Sequence, residues 1–184
     1  KKALAIHSEM FSDGVVELVE KGVITNTKKK THVGKFVANF LMGTKRLYDF
    51  VNNNPDVEMY PVDYVNNPVV VKEDNIVSIN SCVQIDLMGQ AASETIGYTQ
   101  ISGVGGQVDF VRGAAMAKNG RSILAFPSTA AKGTVSKIVP LLDEGAAVTT
   151  SRNDVDYVIT EYGIAKLSGK TLKQRAHALI EIAH

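Results

Sequence analysis

Few side chains in this sequence are suited to acid–base or nucleophilic chemistry, and one carboxylate among them has an unusual position. Glu9 lies in the segment His7-Ser8-Glu9-Met10, between the apolar strand candidate 3–6 and a helix predicted to start at Ser12. Ligands of open α/β sheets bind beyond the carboxyl ends of strands. A carboxylate held there beside hydrogen-bond donors can act as a covalent nucleophile. A solvated loop carboxylate or a helix cap accounts for the same spacing, and spacing alone favours that interpretation.

A glycine-rich turn is the second candidate. Gly103, Gly105 and Gly106 fall within four residues, after an apolar run that ends at Ile101 and before a helical pattern that begins near Gln107. Glycine tolerates positive φ, and the following helix N-terminus presents N–H donors, so the turn is suited to an anion or a developing oxyanion. The G-x-G-G spacing fits neither the dinucleotide fingerprint nor the P-loop. A connection whose glycines serve only backbone geometry is an equally good interpretation.

Two further polar residues lie in predicted loops. Lys132 is in the small-residue loop 127–133, where its ammonium could contact a phosphate. Asn66 stands in Asn66-Asn67-Pro68, where its amide could orient a carboxylate. Most surface lysines have no such role, and an asparagine in this context usually forms a turn. Neither residue identifies a function by itself.

The sequence argues against several other kinds of site. Its one Glu-x-x-His spacing, Glu181 to His184, stands alone, so no metal site is expected. No G-x-S-x-G elbow of a serine hydrolase is present. Cys82 is the single cysteine and lies among apolar residues, which predicts a core residue rather than a nucleophile and excludes an intrachain disulfide.

Length and composition indicate one globular domain, 1–184. The 184 residues are 45% hydrophobic and 21% charged, which is typical of a globular chain. The formal net charge is +1, so no nucleic-acid partner is expected. The basic run 28–30 is interpreted as a solvated turn. No run approaches the roughly 18 apolar residues of a membrane span, so no membrane partner is expected either. The low cysteine content suits the cytoplasm. Because the chain starts at Lys1 without methionine and its last helical pattern reaches His184, we expect a piece of a longer protein.

Hydrophobic periodicity predicts an α/β fold with more strands than helices. Helices are predicted from Ser12, after Gly43-Thr44, near Gln107 and, with a Thr171–Gln174 capping box, at the end of the chain. The segments 26–32 and 63–68 are predicted to be an exposed polar loop and an irregular stretch, and 162–167 a helical turn. Strands are predicted over 3–6, 35–42, 57–60, 83–87 with one face buried, 98–101, 122–126, 135–140, 146–150 and 155–160.

Several of these segments, in this order, resemble the carboxy-terminal domain of the acetyl-CoA hydrolase/transferase family, over essentially the whole chain. The resemblance implies an open mixed sheet flanked by helices, a CoA-transferase (NagB/RpiA-like) domain. It also implies that an amino-terminal domain of the same enzyme is absent from this chain. The segments that carry the resemblance are His7-Ser8-Glu9-Met10, Ser12-Asp13-Gly14, Asn66-Asn67-Pro68, Ser78-Ile79-Asn80-Ser81, Gly103-Val104-Gly105-Gly106-Gln107-Val108-Asp109-Phe110, 127–133 and Thr160-Glu161-Tyr162-Gly163.

The resemblance implies roles for individual side chains. The family's glutamate nucleophile falls on Glu9, its active-site asparagine on Asn66, and its CoA-contacting lysine on Lys132. These positions are the ones that the residues alone left open between a functional and a purely structural interpretation.

The family's oxyanion and CoA-binding turn falls on Gly103, Gly105 and Gly106, with the donor amide on Gly105 or Gly106. Several relatives carry asparagine before this turn, whereas this chain has Ser102. A side-chain contact to CoA is therefore not implied at that position.

The implied reaction is CoA transfer by a ping-pong mechanism through a glutamyl-CoA thioester. The expected partners are a short-chain acyl-CoA, such as 4-hydroxybutyryl-CoA or butyryl-CoA, a short carboxylic acid such as acetate, the amino-terminal domain, and further copies in a homo-oligomer. The CoA thioester is a substrate, and no permanently bound cofactor is expected. Two alternatives stay open: an acetyl-CoA hydrolase, in which water resolves the intermediate, and a domain that is inactive without its amino-terminal partner.

Overall fold

The computed structural model describes residues 3–73 and 75–184. The chain forms two compact units, Lys1–Asn75 and Ile76–His184. In the first unit the strands are β1 (His7–Phe11), β2 (Phe36–Leu41) and β3 (Val57–Met59), and the helices are α1 (Asp13–Glu20), α2 (Lys45–Val51), α3 (Val62–Val65) and α4 (Pro68–Val71). In the second unit the strands are β4 (Val77–Asn80), β5 (Gln84–Asp86), β6 (Ala91–Ala92), β7 (Thr95–Ile96), β8 (Thr99–Gln100), β9 (Arg121–Ala125), β10 (Thr129–Ala130), β11 (Val135–Ser136), β12 (Ile138–Val139), β13 (Tyr157–Thr160) and β14 (Gly163–Lys166), and the helices are α5 (Gln107–Met116) and α6 (Leu172–Ile180).

The first unit is built on a parallel sheet in the order β1-β2-β3. The helices α1 and α2 make the crossovers that parallel neighbours require. The starts of these helices are joined, because the Asp13 carboxylate accepts hydrogen bonds from the backbone N–H of Thr44 at 2.8 Å and from its hydroxyl at 2.9 Å. Buried core residues of this unit are Phe11, Val16, Ile24, Phe36, Ala38 and Leu47.

The second unit contains a mixed sheet in the order β14-β13-β9-β4. The strands β4, β9 and β13 are parallel, and β14 is antiparallel to β13. The predicted capping box is confirmed, because the hydroxyl of Thr171 accepts from the Gln174 N–H and the Gln174 side chain accepts from the Thr171 N–H. The predicted α/β class with an open mixed sheet is confirmed as well. The buried core includes Ile85, Leu124, Phe126, Val155, Val158, Leu167 and Leu179.

Three predicted segments have a different structure. The segment 63–68, predicted to be irregular, instead contains most of α3 and the start of α4, and Asn67 caps α4 by accepting from the Val69 N–H at 2.9 Å. The predicted helical turn 162–167 is wrong, because its residues Gly163–Lys166 form β14, which pairs along the whole of β13. The predicted strand 146–150 is also wrong, and only Thr150 makes a bridge, to Ala91.

Burial corrects two further expectations. In β5 the residues Gln84, Ile85 and Asp86 are all buried, not one face of the strand, because β5 lies between β12 and β6. In the supposedly exposed loop 26–32, Asn26 and Lys29 are buried. The Lys29 ammonium donates to the backbone carbonyls of Ile6 and Lys35, each at 2.9 Å, so this member of the basic run is a structural hydrogen-bond donor.

The prediction that Cys82 is a core residue is confirmed. The side chain is 5% exposed, and burial raises the pKa of the thiol to about 12. We therefore predict that the native protein at about pH 8 does not react with iodoacetamide, because the thiolate is the nucleophile. One equivalent of label should be incorporated only after unfolding in guanidinium chloride. Rapid labelling of the native protein, measured by mass spectrometry, would contradict this.

Among residues 3–73 and 75–184, no helix combines the length and the apolar character needed to cross a membrane. In the same residues, no three or more His, Cys, Asp or Glu side chains are grouped so that they could hold a metal ion.

Candidate active site

Glu9 and Asn66 are in direct contact in the first unit. The Glu9 carboxylate accepts a hydrogen bond of 2.7 Å from the Asn66 side-chain amide. Asn66 follows α3, and its backbone N–H donates to the Val62 carbonyl, so the end of this helix fixes its position. The Asn66 side chain is buried, and a hydrogen bond to a charged group is worth about 1.5–3 kcal/mol. The asparagine that the spacing favoured as a mere turn former therefore orients the candidate nucleophile.

The prediction that Glu9 lies in a loop is wrong. Glu9 is in the middle of β1, and the preceding apolar segment 3–6 contributes only a bridge between Leu4 and Ile24. The cause is the parallel pairing with β2, which starts at His7 and Val37 and continues to Phe11. Polar residues are tolerated in this strand because they find partners on a neighbouring helix. The strand also makes Glu9 more precisely positioned than a loop would.

His7 reinforces the placement of Asn66. Its Nε2 donates to the Val65 carbonyl at 2.8 Å, which requires the proton on Nε2 because a carbonyl only accepts. Residues two apart on a strand project to the same face, so His7 and Glu9 reach consecutive residues, Val65 and Asn66. Sequence reasoning assigned His7 no role of its own; its i, i+2 spacing from Glu9 was the available signal.

A histidine from a distant loop holds the same helix. The Nε2 of His32 is 2.7 Å from the Tyr64 hydroxyl, and its Nδ1 is 2.6 Å from a Glu58 carboxylate oxygen. Tyr64 directly precedes Val65, so three consecutive residues of this segment, 64–66, are held by side chains from other elements. Because α3 has only four residues, such contacts must supply most of its stability. The 32-residue separation of His32 and Tyr64 left no signal in the local sequence.

One atom beside Glu9 has no partner within the described part of the chain. The Asn66 Oδ1 is buried and makes no hydrogen bond there. Buried polar atoms are nearly always paired, so an unpaired acceptor requires an explanation. It is a position at which an N–H or O–H donor of a bound molecule would be stabilised.

The glycine segment of the second unit is a strand-to-helix turn, as predicted. It follows β8, and α5 begins at Gln107 with Gly106 at the N-cap position. Gly105 has φ +61°, in the left-handed region that disfavours side chains, whereas Gly106 has φ −91°. No side chain caps this helix end, so its first N–H groups point out of the helix without an intrahelical partner. Backbone donors of this kind suit an anionic group.

Lys132 lies at the tip of a second loop of this unit, in a tight turn between β10 and β11. Ala131, Lys132 and Gly133 have φ values of +47°, +57° and +91°. Two successive non-glycine residues in the left-handed region are uncommon, and each costs of order 1–3 kcal/mol. The exposed lysine is therefore presented by a strained backbone that its surroundings must hold in place.

Glu161 holds the base of the lysine loop. Its carboxylate accepts from the Ser128 backbone N–H at 2.8 Å and from the Ser128 hydroxyl at 2.6 Å, and Ser128 is fully buried. The Ser128 hydroxyl and then its N–H lower the pKa of Glu161 below its ordinary value of 4.5. Sequence reasoning quoted Glu161 only as part of a motif and assigned it no role. The place of Glu161 in the motif segment 160–163 was the available signal that it has a role.

This hydrogen-bond pair predicts a pH dependence of stability. Because the pKa of Glu161 is lower in the folded protein, the pair stabilises the fold fully above about pH 4.5, and this stabilisation is lost as the pH falls through the folded pKa. Ser128→Ala should therefore lower the melting temperature at neutral pH and approach the wild type in acid. Ser136→Ala is the control, since that hydroxyl donates to the non-titrating Ile138 carbonyl and its effect should not vary with pH. A pH-independent difference for Ser128→Ala would contradict the prediction.

Comparison with known proteins tests the family resemblance. Residues 43–184 match the acetyl-CoA hydrolase/transferase C-terminal domain. Over 185 aligned residues the chain is 72% identical to 4-hydroxybutyrate coenzyme A transferase of Clostridium kluyveri, and over 185 residues it is 55% identical to succinyl-CoA:cyclohexane-1-carboxylate CoA transferase of Geobacter metallireducens. The chain belongs to the acetyl-CoA hydrolase/transferase family. The predicted resemblance is confirmed.

Two solved structures are similar to this chain over its whole length. RipA from Yersinia pestis superposes with a TM-score of 0.93 at 47% identity, covering 100% of this chain and 42% of that one. The 4-hydroxybutyrate CoA-transferase from Porphyromonas gingivalis superposes with a TM-score of 0.85 at 56% identity, again over 100% and 42%. The Clostridium kluyveri and Geobacter metallireducens relatives are likewise matched over 100% of this chain and 43% and 42% of their own length.

The predicted site residues of this family member lie in both units. Glu9 and Asn66 form one hydrogen-bonded pair in the first unit. Gly103, Gly105 and Gly106 belong to one turn of the second unit, and Lys132 to another loop of it.

Proposed function

We propose that the full-length protein transfers CoA from a short-chain acyl-CoA to a carboxylic acid, with Glu9 as the covalent nucleophile. The observation that carries the proposal is the 2.7 Å hydrogen bond between the Asn66 amide and the Glu9 carboxylate, in a chain whose relatives are named as CoA transferases. A carboxylate on a rigid strand, oriented by a buried amide, has the geometry of an activated nucleophile.

The proposed steps conserve bonds and charge. A Glu9 oxygen attacks the thioester carbon, the C–S bond breaks, and CoA leaves as the thiolate with an acyl-glutamyl anhydride on the enzyme. The thiolate then attacks the glutamyl carbonyl, and the first carboxylic acid leaves as its carboxylate. The second carboxylate attacks the carbonyl of the glutamyl-CoA thioester, the C–S bond breaks, and a new acyl-glutamyl anhydride forms beside the free thiolate. The thiolate then attacks the acyl carbonyl of this anhydride, and Glu9 leaves as its free carboxylate. No proton has to be moved by the protein in any of these steps.

Asn66 supports the steps that occur on Glu9 itself. When the glutamyl carbonyl is attacked, its oxygen gains negative charge, and the Asn66 N–H already lies within hydrogen-bond distance of a Glu9 oxygen. A donor that is in place before the charge develops costs no reorganisation. The unpaired Asn66 Oδ1 offers an acceptor to an N–H or O–H of the bound substrate.

The contacts to the CoA ester are assigned to residues of two loops. We assign the oxyanion and CoA contacts to Gly103, Gly105 and Gly106, with an amide of Gly105 or Gly106 donating to the thioester oxygen, and a phosphate contact to Lys132. The outward N–H groups at the start of α5 and the exposed ammonium at the loop tip support these roles.

The substrate assignment follows the relatives. 4-Hydroxybutyrate coenzyme A transferase of Clostridium kluyveri is 72% identical, and butyryl-CoA:acetate CoA-transferase of Anaerostipes caccae is 42% identical over 187 residues. We therefore propose 4-hydroxybutyryl-CoA or butyryl-CoA as donor and acetate as acceptor, in a cytoplasmic enzyme that works as a homo-oligomer. The chain spans 43% of the first relative's length, and we propose that it is inactive without the amino-terminal domain.

Trapping the intermediate tests the proposal. Full-length protein mixed with butyryl-CoA and borohydride should be reduced at Glu9, which peptide mass spectrometry locates. Omitting acetate should stop CoA turnover if the enzyme is a transferase, whereas continued release of free CoA would identify a hydrolase, the activity named for a 26% identical relative from Kluyveromyces lactis. An unmodified Glu9 in a protein that still turns over would overturn the covalent mechanism. The isolated chain, assayed in parallel, should show no turnover.

A further inference from the structure

Glu94 is a buried carboxylate that the proposed reaction does not use. Its side chain is 9% exposed. One oxygen accepts from the Thr149 hydroxyl at 3.0 Å and the other from the Gln100 amide at 3.0 Å. Taking a carboxylate out of water is costly unless donors compensate, and here both donors are uncharged. We expect a buried carboxylate with this arrangement to serve by the geometry that it imposes on its hydrogen-bond donors.

The geometry that Glu94 imposes is the path of the chain into the glycine turn. Its backbone carbonyl accepts from the N–H groups of Ile101 at 2.8 Å and Ser102 at 3.3 Å. The Gln100 amide that donates to the Glu94 carboxylate also donates to the Ser102 carbonyl, at 2.6 Å. The residues that lead into the turn are therefore held by Glu94 through both its backbone and its side chain.

The end of the turn at α5 is held by Ser93 and Thr150, the sequence neighbours of Glu94 and Thr149. Gln107, the first residue of α5, donates through its side-chain amide to the Ser93 hydroxyl at 3.0 Å and to the fully buried Thr150 hydroxyl at 2.9 Å. The Ser93 N–H donates to the Thr149 hydroxyl at 2.9 Å, which links both ends. We call this set the turn clamp; its members are Ser93, Glu94, Gln100, Gln107, Thr149 and Thr150.

The clamp compensates for the flexibility of the turn itself. Three of the four residues 103–106 are glycine, which loses more conformational freedom on ordering than any other residue. Backbone donors stabilise a developing charge only when they are held within a few tenths of an ångström of the productive position. We propose that the turn clamp, with Glu94 at its centre, positions the amides of Gly105 and Gly106 for catalysis. This inference rests on the proposed function of the turn, and Glu94 is a positioning residue in it.

The test uses full-length enzyme in which the clamp is weakened with little change of volume. Glu94→Gln replaces an acceptor oxygen with a donor, and Thr149→Val removes the shared hydroxyl. Thr149→Ser keeps that hydroxyl and should restore wild-type behaviour. Asp86→Asn is the matched control, because Asp86 is a fully buried carboxylate that accepts from Gln90 at 2.7 Å and does not hydrogen-bond to the turn.

Two measurements are made on every variant. Steady-state kinetics should show kcat lower by on the order of 10-fold in Glu94→Gln and Thr149→Val, with KM for butyryl-CoA nearly unchanged, because a displaced oxyanion donor acts in the transition state. Amide hydrogen exchange of peptides covering 102–107 should become faster in the same two variants. Asp86→Asn should lower the melting temperature while leaving kcat and the exchange of 102–107 as in the wild type.

The outcomes separate this inference from the proposed function. Unchanged exchange of 102–107 in Glu94→Gln would overturn the inference, and so would faster exchange with unchanged kcat. Absence of CoA transfer by the wild-type enzyme would overturn the proposed function and with it the catalytic part of this inference. The exchange measurement would then still decide whether the clamp holds the turn.

Discussion

Replacing Glu9 with alanine in the full-length protein is expected to lower kcat for CoA transfer by on the order of 10⁴-fold or more, as loss of a covalent nucleophile does in other enzymes. In the proposed mechanism the Glu9 carboxylate oxygen forms the anhydride, and its removal takes away the nucleophile itself. Glu9→Gln preserves volume and the contact to Asn66 but is a far poorer nucleophile, and it should be equally inactive. The assay is CoA transfer from butyryl-CoA to acetate.

The control for Glu9 is Glu17→Ala. Glu17 is an exposed carboxylate on α1 that pairs with Lys21 and has no role in the proposed reaction, so its removal should leave kcat within about twofold. Loss of this surface ion pair should also change stability little. Asn66→Ala should lie between these extremes, with kcat lower by about 10–10²-fold, because it removes one oriented donor and leaves the nucleophile. Turnover intact in Glu9→Ala would contradict the covalent mechanism, whatever Asn66→Ala does.

Local sequence patterns were sufficient to predict some helices and strands and not others. The helices α2 and α5 and the strand β2 were predictable, because apolar period and glycine stops are local signals. The start of β1 was not predictable, because pairing with β2 decides which residues form the strand. The apolar residues 3–6 were predicted as the strand instead. The strand β14 was likewise misassigned because its pairing with β13, and not its own propensity, defines it.

The candidate site likewise contains residues that local sequence identifies and contacts that only the fold creates. Glu9 and the glycine turn were found from the sequence, although an ordinary structural explanation of each was open. The contact between Glu9 and Asn66 joins residues 57 apart, and no spacing rule predicts such a pair. Only the family resemblance placed both in one site. Glu94 and Gln107 were missed for a related reason: their hydrogen bonds reach Thr149 and Thr150 across 55 and 43 residues, so only the fold brings them together.

A second large effect is expected from the glycine turn. Gly106→Ala in the full-length protein should lower kcat by on the order of 10²-fold, the usual consequence of displacing one oxyanion donor. Gly106 has φ −91°, which alanine adopts without strain, so any loss must come from the methyl group or from movement of the amide. Kinetics per folded molecule, with the folded fraction measured by circular dichroism, separate this effect from loss of protein.

Gly105→Ala tests the same turn with a known additional cost. Gly105 has φ +61°, so alanine there is strained, which should lower stability by about 1 kcal/mol in addition to any loss of activity. Gly169→Ala is the matched control: Gly169 has φ +74°, and an added Cβ meets no atom within 4 Å. It should reproduce the loss of stability and leave kcat unchanged. If Gly105→Ala and Gly169→Ala both lower stability and neither lowers kcat, the turn is a structural connection and not an oxyanion donor; a loss of kcat confined to Gly105→Ala and Gly106→Ala assigns the donor to this turn.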